Sequence, residues 1–86
     1  MESYRLLFKR SVAKDLRAIA VADLERLLAR IADLAGNPRP TGCEKLSAQE
    51  RYRIRHGRYR VVYEIRDMAL VVLVVKVAHR KDVYRH

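Results

Sequence analysis

Cysteine, proline and glycine are scarce in this sequence of 86 residues, which contains one, two and three of them respectively. Because Cys43 is the only cysteine, an intramolecular disulfide is excluded and a reducing compartment such as the cytoplasm is expected. No run of about 18 apolar residues is present, so we expect no membrane-spanning helix. The N-terminal residues lack the apolar stretch and the cleavage site of a signal peptide. The sequence therefore predicts a cytoplasmic protein with no membrane segment.

Signals for several kinds of chemistry are also missing. The sequence has no glycine-rich phosphate loop and no zinc-like spacing of Cys and His. Its three histidines have no spaced carboxylate cluster beside them, and no Ser-His-Asp arrangement can be read. Cys43 lies in a predicted loop and is expected to be inert. We therefore predict no metal site and no small-molecule cofactor.

Positive charge is abundant. Nineteen Lys and Arg residues face ten Asp and Glu, which gives a formal net charge of +9 and a pI near 10.3. Such a domain is expected to bind a polyanion: nucleic acid, an anionic membrane face or an acidic protein. Fourteen of the nineteen are arginine, whose rigid fork of donors favours phosphate. The alternative is a soluble protein that simply has a cationic surface.

Chain length and hydropathy indicate one domain, over residues 1–86. A second domain in so short a chain would have no core of its own. Half of the residues are hydrophobic, which is enough for one core and excludes a disordered chain.

Two apolar patterns with helical spacing follow one another between residues 11 and 35. Ser11 is suited to cap the first helix, and Asp23 is suited to cap the second. The second pattern ends at Gly36, and Asn37-Pro38 follow, a combination typical of a helix C-terminus. No Gly or Pro separates the patterns, so one unbroken helix over residues 11–35 is the alternative to two helices.

Strand patterns flank this helical region. Residues 4–8 predict a first strand, and residues 37–45 predict a loop. From Glu50 onward apolar and charged residues alternate, and residues 70–78 are almost wholly apolar, as in a strand covered on both faces. The element order predicts a single small α+β domain, in which an N-terminal strand and two helices pack with a mostly antiparallel sheet of about four strands.

The hairpin before the last strand has an unusual charge pattern. If Gly57-Arg58 is a two-residue turn, Arg55 lies directly opposite Arg60. The core side is then formed by Tyr52, Ile54, His56, Tyr59, Val61 and Tyr63. The other side carries Arg53, Arg55, Arg60, Val62 and Glu64. Like charges directly opposite each other destabilise a sheet, so we predict an anion between these arginines. A solvated polar face, on which Glu64 relieves the repulsion, is the alternative.

Residues of the last strand and the tail extend this candidate site. Lys76 faces the arginines only if the turn between the last two strands has an odd number of residues; with a two-residue turn it faces Tyr59. His79 is a candidate for chemistry because it stands beside Arg80. An arginine with an exposed aromatic, here Arg80 with Tyr84, is typical of nucleic-acid binding, because the cation meets phosphate and the ring stacks on a base. A packing role at the rim is the alternative for Tyr84.

Several segments together resemble the RelE/ParE toxin superfamily, on its RelE side. The run from Tyr52 to Ile65 resembles the family's signature hairpin. Asn37-Pro38, Gly42 and Lys45-Leu46 resemble its loop into the second strand. The run from Ala78 to Arg85 resembles its closing motif. With the opening strand and the turn at residues 13–16, the resemblance covers nearly the whole chain.

The resemblance implies the toxin of a type II toxin–antitoxin pair with a RelE-like fold. RelE-type toxins cut mRNA in the ribosomal A site without a metal: the 2′-hydroxyl attacks its adjacent phosphate and leaves a 2′,3′-cyclic phosphate and a 5′-hydroxyl. Matching positions imply catalytic roles for Arg53, Arg55, Arg60, Arg80 and Tyr84. We add Lys76, Lys81 and Arg85 as expected RNA-binding residues. The implied partners are a cognate acidic antitoxin, the ribosome and mRNA.

One departure from the family affects the acid–base chemistry. The best-known member has lysines where this chain has Arg53 and Arg55. Arginine has a pKa above about 12 and cannot shuttle a proton, although it stabilises charge well. His79 therefore becomes the candidate acid or base. Two other functions remain open: a ParE-like inhibitor that binds DNA gyrase without cutting RNA, and an RNA-binding module without catalysis.

Overall fold

The computed structural model describes residues 3–46 and 50–79. Within these ranges the chain forms five strands, two α-helices and one short 3₁₀ helix. In chain order the elements are β1 (Arg5–Phe8), α1 (Val12–Arg17), α2 (Val21–Ala32), the 3₁₀ helix (Asp33–Ala35), β2 (Glu44–Lys45), β3 (Arg51–His56), β4 (Tyr59–Arg66) and β5 (Val71–His79). The predicted order is confirmed. The one addition is β2, whose two residues fall in the segment predicted as a loop.

The five strands form one sheet in the order β1-β5-β4-β3-β2. Only β1 and β5 are parallel, and the other neighbours are antiparallel. The apolar strand β5 lies between β1 and β4, so its predicted central position is confirmed. Val72, Val74 and Val77 are buried on the face that helices cover. Val71 and Ala78 are nearly as buried.

Two separate helices form, which resolves the alternative that the sequence left open. The first ends at Arg17, and Ala20 has an extended backbone (φ −58°, ψ 143°) that redirects the chain into α2. Ser11 stands at the predicted N-cap position of α1, although its side chain makes no capping hydrogen bond. The predicted cap of α2 is wrong, because Ala20, not Asp23, precedes that helix. Asp23 lies in the first turn, where the helix dipole favours a carboxylate. Neither helix is long and apolar enough to cross a membrane within the described ranges.

The core lies between the helices and one face of the sheet. Leu27 and Ile31 of α2 and Leu34 of the 3₁₀ helix have no exposed surface. They pack with the hairpin side chains Tyr52, Ile54, Val61, Tyr63 and Ile65. The predicted core side of the hairpin is therefore confirmed, except that His56 and Tyr59 at its end are half-buried.

Arg39 ties the loop before β2 to the sheet. Its Nε donates to the Tyr52 hydroxyl at 3.1 Å, and its Nη2 lies 3.1 Å from Glu50 and 2.9 Å from Asp67. Its guanidinium also lies over the Tyr52 ring, 5.2 Å from the centroid. Tyr4 donates to Asp67 at 2.6 Å. These contacts join β1, the loop, β3 and the β4–β5 turn at one end of the sheet.

Candidate functional site

The β3–β4 hairpin has the register that the two-residue turn predicts. Arg55 pairs with Arg60, Arg53 with Val62, and His56 with Tyr59. The turn residue Gly57 has φ +59°, a left-handed conformation that glycine adopts without strain. Because side chains alternate along a strand, the arginines lie on the side of the sheet away from the helices. We call the side chains of Arg53, Arg55 and Arg60 the arginine face.

The three side chains of the arginine face differ in their exposure to solvent. Arg60 is 3% exposed and is the only buried charged side chain among the described residues. The Arg53 side chain is 17% exposed and that of Arg55 is 60% exposed. The sequence correctly placed Arg60 opposite Arg55, away from the core, but did not predict its burial. A guanidinium in so little water interacts strongly with any nearby negative charge.

Glu44 of β2 supplies an anion to the arginine face. The antiparallel pairing of Glu44 with Arg53 places its carboxylate on the same side of the sheet. Glu44 Oε2 lies 2.8 Å from Arg53 Nη2, and Oε1 lies 3.5 Å from Arg55 Nη2. The hydrogen bond from Arg53 and its charge lower the pKa of Glu44, with smaller contributions from the charges of Arg55 and Arg60. Glu44 lies in the segment that the sequence predicts as a loop, so its place on this side of the sheet could not be expected from the sequence.

Glu64 lies further along the same side of the sheet. It relieves repulsion between other arginines there, and not between Arg55 and Arg60 as the sequence suggested. Its carboxylate accepts from Arg51, its partner in the register, and from Arg66 Nη2 at 3.1 Å. The hydrogen bond from Arg51 is the main cause of the lowered pKa of Glu64. A solvated polar face with Glu64, which was the alternative to an anion site, is thus present next to the arginine face. Its carboxylate pairs with Arg51 and Arg66.

Lys76 lies opposite Val62 because of a β-bulge. The β4–β5 turn has an even number of residues, since Arg66 pairs with Val71. An irregularity between Val62 and Tyr63 then shifts the register by one residue and brings Lys76 opposite Val62. Its ammonium reaches Asp15 of α1 at 3.0 Å. The structure therefore shows this predicted RNA-binding residue in an ion pair with a helix.

His79 lies on the other side of the sheet from the arginine face. It pairs with Tyr59, and the two rings make an edge contact with centroids 5.7 Å apart. Since Arg60 follows Tyr59 in the strand, their side chains point to opposite sides. The described residues therefore do not bring the candidate acid or base together with the arginines. Four further predicted site residues, Arg80, Lys81, Tyr84 and Arg85, lie outside the described residues.

The fold and the arginine-rich hairpin define a class of small toxins. The sequence profile of the ParE toxin of the type II toxin–antitoxin system parDE matches residues 6–84. The chain therefore belongs to this toxin family. No curated protein matches it by sequence.

Solved RelE structures share the fold over nearly the whole chain. The RelE–RelB complex from Pyrococcus horikoshii matches with a TM-score of 0.79 at 26% identity, over 91% of this chain and 96% of that one. The RelBE2 complex from Mycobacterium tuberculosis matches with 0.81 at 25% identity, over 93% and 94%. Isolated RelE from E. coli matches with 0.80 at 26% identity, over 96% and 93%. The predicted membership of the RelE/ParE superfamily and the predicted fold are confirmed.

Proposed function

We propose that this toxin is a ribosome-dependent endoribonuclease that cleaves mRNA in the A site and so inhibits translation. The observation that carries the proposal is the arginine face, where three guanidinium groups from two paired strands share the side of the sheet that the helices leave uncovered. The likeness to RelE structures supports the same function. The compartment that this function implies is the cytoplasm.

The arginines would stabilise charge rather than move protons. Attack by the 2′-hydroxyl on the adjacent phosphate creates a phosphorane with additional negative charge. Arg60, buried, would stabilise that charge most strongly, because electrostatic interactions grow as water is excluded. Arg53 and Arg55 would bind the phosphate at the more exposed end. The ribosome would orient the attacking hydroxyl by holding the mRNA in a reactive geometry.

The proposal also assigns roles to residues that follow β5. We assign phosphate binding to Arg80, base stacking to Tyr84, and RNA backbone contacts to Lys81 and Arg85. Stacking is worth about 1–3 kcal/mol per base. Tyr84→Ala should therefore slow cleavage by about 10-fold to 100-fold, whereas Tyr84→Phe should keep most activity. Equal loss in both variants would assign the role to the hydroxyl and make Tyr84 a better acid or base than His79.

A cognate antitoxin is the proposed regulatory partner. The relatives from Pyrococcus horikoshii and Mycobacterium tuberculosis were solved as toxin–antitoxin complexes. For a chain of net charge +9, an acidic partner provides complementary charge. Expression of the toxin alone should arrest growth, and co-expression of the antitoxin should restore it.

Cleavage mapping tests the proposed function. The purified chain is incubated with mRNA on programmed ribosomes and, separately, with the same RNA without ribosomes. Primer extension should show cuts at the A-site codon on ribosomes and almost none in free RNA. Efficient cutting of free RNA, or intact mRNA on ribosomes, would contradict the proposal.

Inhibition of DNA gyrase is a second candidate function, because the family profile that matches the chain is that of ParE toxins. Its test is a gyrase supercoiling assay run beside the cleavage assay. A loss of supercoiling together with intact ribosome-bound mRNA would favour the ParE-like function.

A further inference from the structure

Glu44 bridges two arginines of the arginine face with separate oxygen atoms. Oε2 contacts Arg53 Nη2 at 2.8 Å, and Oε1 lies 3.5 Å from Arg55 Nη2. The pairing of Glu44 with Arg53 in the sheet fixes the backbone from which this carboxylate projects. A phosphodiester presents two oxygen atoms to a pair of guanidinium groups in a similar way.

We propose that Glu44 is an internal competitor for the RNA phosphate, which must displace its carboxylate to reach Arg53 and Arg55. The proposal rests on the proposed function, since it assigns a specificity element to the same site. It gives Arg53 and Arg55 a negative partner when no substrate is bound. It also makes the site selective, because an anion is bound only if it interacts with the arginines more favourably than the attached carboxylate does.

The contacts of Glu44 are suited to displacement. Its side chain is 47% exposed, and that of Arg55 is 60% exposed. The pair with Arg55 is exposed and contributes little net free energy, whereas the pair with Arg53, whose side chain is 17% exposed, is the one that an incoming phosphate must outcompete. A single free anion gains only these contacts, whereas an RNA strand held at several phosphates gains many. The lowered pKa of Glu44 keeps the carboxylate charged at neutral pH, so the competition persists there.

Glu64 provides a matched control. It lies on the same side of the sheet and also accepts from two arginines, Arg51 and Arg66. Glu44→Gln and Glu64→Gln each remove one negative charge and keep the size of the side chain. Only the first variant frees residues of the arginine face.

The test measures binding of an RNA that cannot be cleaved, so that affinity is read apart from catalysis. The probe is a fluorescent single-stranded 2′-O-methyl oligoribonucleotide, and anisotropy gives the Kd over a series of salt concentrations. One additional phosphate contact steepens the salt dependence by about 0.7 in log–log slope, which corresponds to about fivefold tighter binding at 0.1 M salt. Glu44→Gln should show both changes, and Glu64→Gln should stay close to the wild type.

A double variant makes the assignment specific. In an Arg53→Ala background the carboxylate no longer masks that arginine, so Glu44→Gln should give less than half of its gain. An equal gain from Glu44→Gln and Glu64→Gln would indicate a general charge effect and would overturn the proposal. Unchanged or weaker binding by a folded Glu44→Gln variant would overturn it as well. Tighter binding by Glu44→Gln, in a protein that never cuts ribosome-bound mRNA, would uphold the competition and overturn only the proposed function.

Discussion

At the scale of single residues, Arg55 and Arg60 differ although they face each other in the hairpin. Arg55 is 60% exposed on its side chain, whereas Arg60 is 3% exposed overall. An exposed guanidinium is screened by water and salt, and a buried one is screened much less. We therefore expect Arg60 to contribute most of the stabilisation of developing charge.

Replacing Arg60 should reduce the rate of cleavage more than RNA binding. Arg60→Lys keeps the charge but loses the planar fork of donors. Loss of one donor to a developing oxyanion costs about 10²–10³ in rate, and we expect Arg60→Lys and Arg60→Ala to fall in this range. Single-turnover cleavage on ribosomes measures the effect, with thermal unfolding as the check on folding.

Arg66 is the control on the same strand and the same side. Its side chain is 61% exposed and pairs with Glu64. Arg66→Ala should cleave at a rate within a few-fold of the wild type. A folded Arg60→Lys variant with full activity would remove Arg60 from the reaction.

The sequence predicts which residues pair in the hairpin, but not how deeply the side chains of Arg55 and Arg60 are buried. The turn at Gly57-Arg58 fixed the pairing of Arg55 with Arg60, because a two-residue turn leaves only one register. The alternation of side chains along a strand predicts the side of the sheet on which Arg60 lies. It does not predict which residues cover that side, so the burial of Arg60 could not be expected from the sequence. Glu44 was missed because a two-residue edge strand has no alternation to detect.

At the scale of elements, Asp15 connects α1 to the edge of β5. The strand β1 ends at Phe8, opposite Val74, so no strand among residues 3–46 and 50–79 pairs with the rest of β5 on that side. Asp15 Oδ2 accepts the backbone N–H of Val77 at 3.1 Å, and Oδ1 lies 3.0 Å from the Lys76 ammonium. A helix side chain thus satisfies a strand donor where β1 no longer does.

Removing this carboxylate should destabilise the fold. Hydrogen bonds to charged groups contribute about 1.5–3 kcal/mol, so Asp15→Ala should lower the free energy of unfolding by about that amount. Urea unfolding measures the loss. Asp23→Ala, in the exposed first turn of α2, should change it by about 0.5 kcal/mol or less. Equal stability of the two variants would show that Asp15 has no special role.

The elements themselves were largely predictable, because helical and alternating periods are strong signals in this chain. Two details were not. The break at Ala18 to Ala20 has no Gly or Pro to mark it, and the backbone turns there because both helices must pack on one sheet. The bulge that brings Lys76 opposite Val62 also has no local signature, since it depends on the pairing with β4.

At the scale of the whole molecule, arginines pair with carboxylates at several places in the sheet and in the loops beside it. The pKa of Asp67 is lowered chiefly by the hydrogen bond from Arg39, and that of Glu50 by hydrogen bonds from Tyr52 and Arg39. The pKa of Glu44 is lowered chiefly by Arg53, and that of Glu64 chiefly by Arg51. With net charge +9, protonating these carboxyls also increases self-repulsion.

The protein should therefore lose stability in acid. A carboxyl whose pKa is lower when folded contributes stability above its unfolded pKa of about 4, and this is lost as the pH falls through the folded value. The Tm should be nearly constant from neutral pH to about pH 5 and then decline. Arg39→Ala should be less stable at neutral pH and show a shallower decline, since Glu50 and Asp67 then titrate closer to their ordinary values. A Tm independent of pH between 5 and 2 would contradict this.

The central claim is that the arginine face cleaves mRNA through the 2′-hydroxyl of the substrate, and the chemistry of the cut mRNA tests it most directly. Ribosomes are programmed with two mRNAs that differ only in a 2′-O-methyl group at the A-site nucleotide whose hydroxyl would attack. The unmodified mRNA should give a 2′,3′-cyclic phosphate and a 5′-hydroxyl, which polynucleotide kinase labels without prior dephosphorylation, and the methylated mRNA should remain intact. Cleavage of the methylated mRNA at the same bond, or products with a 5′-phosphate, would contradict the account.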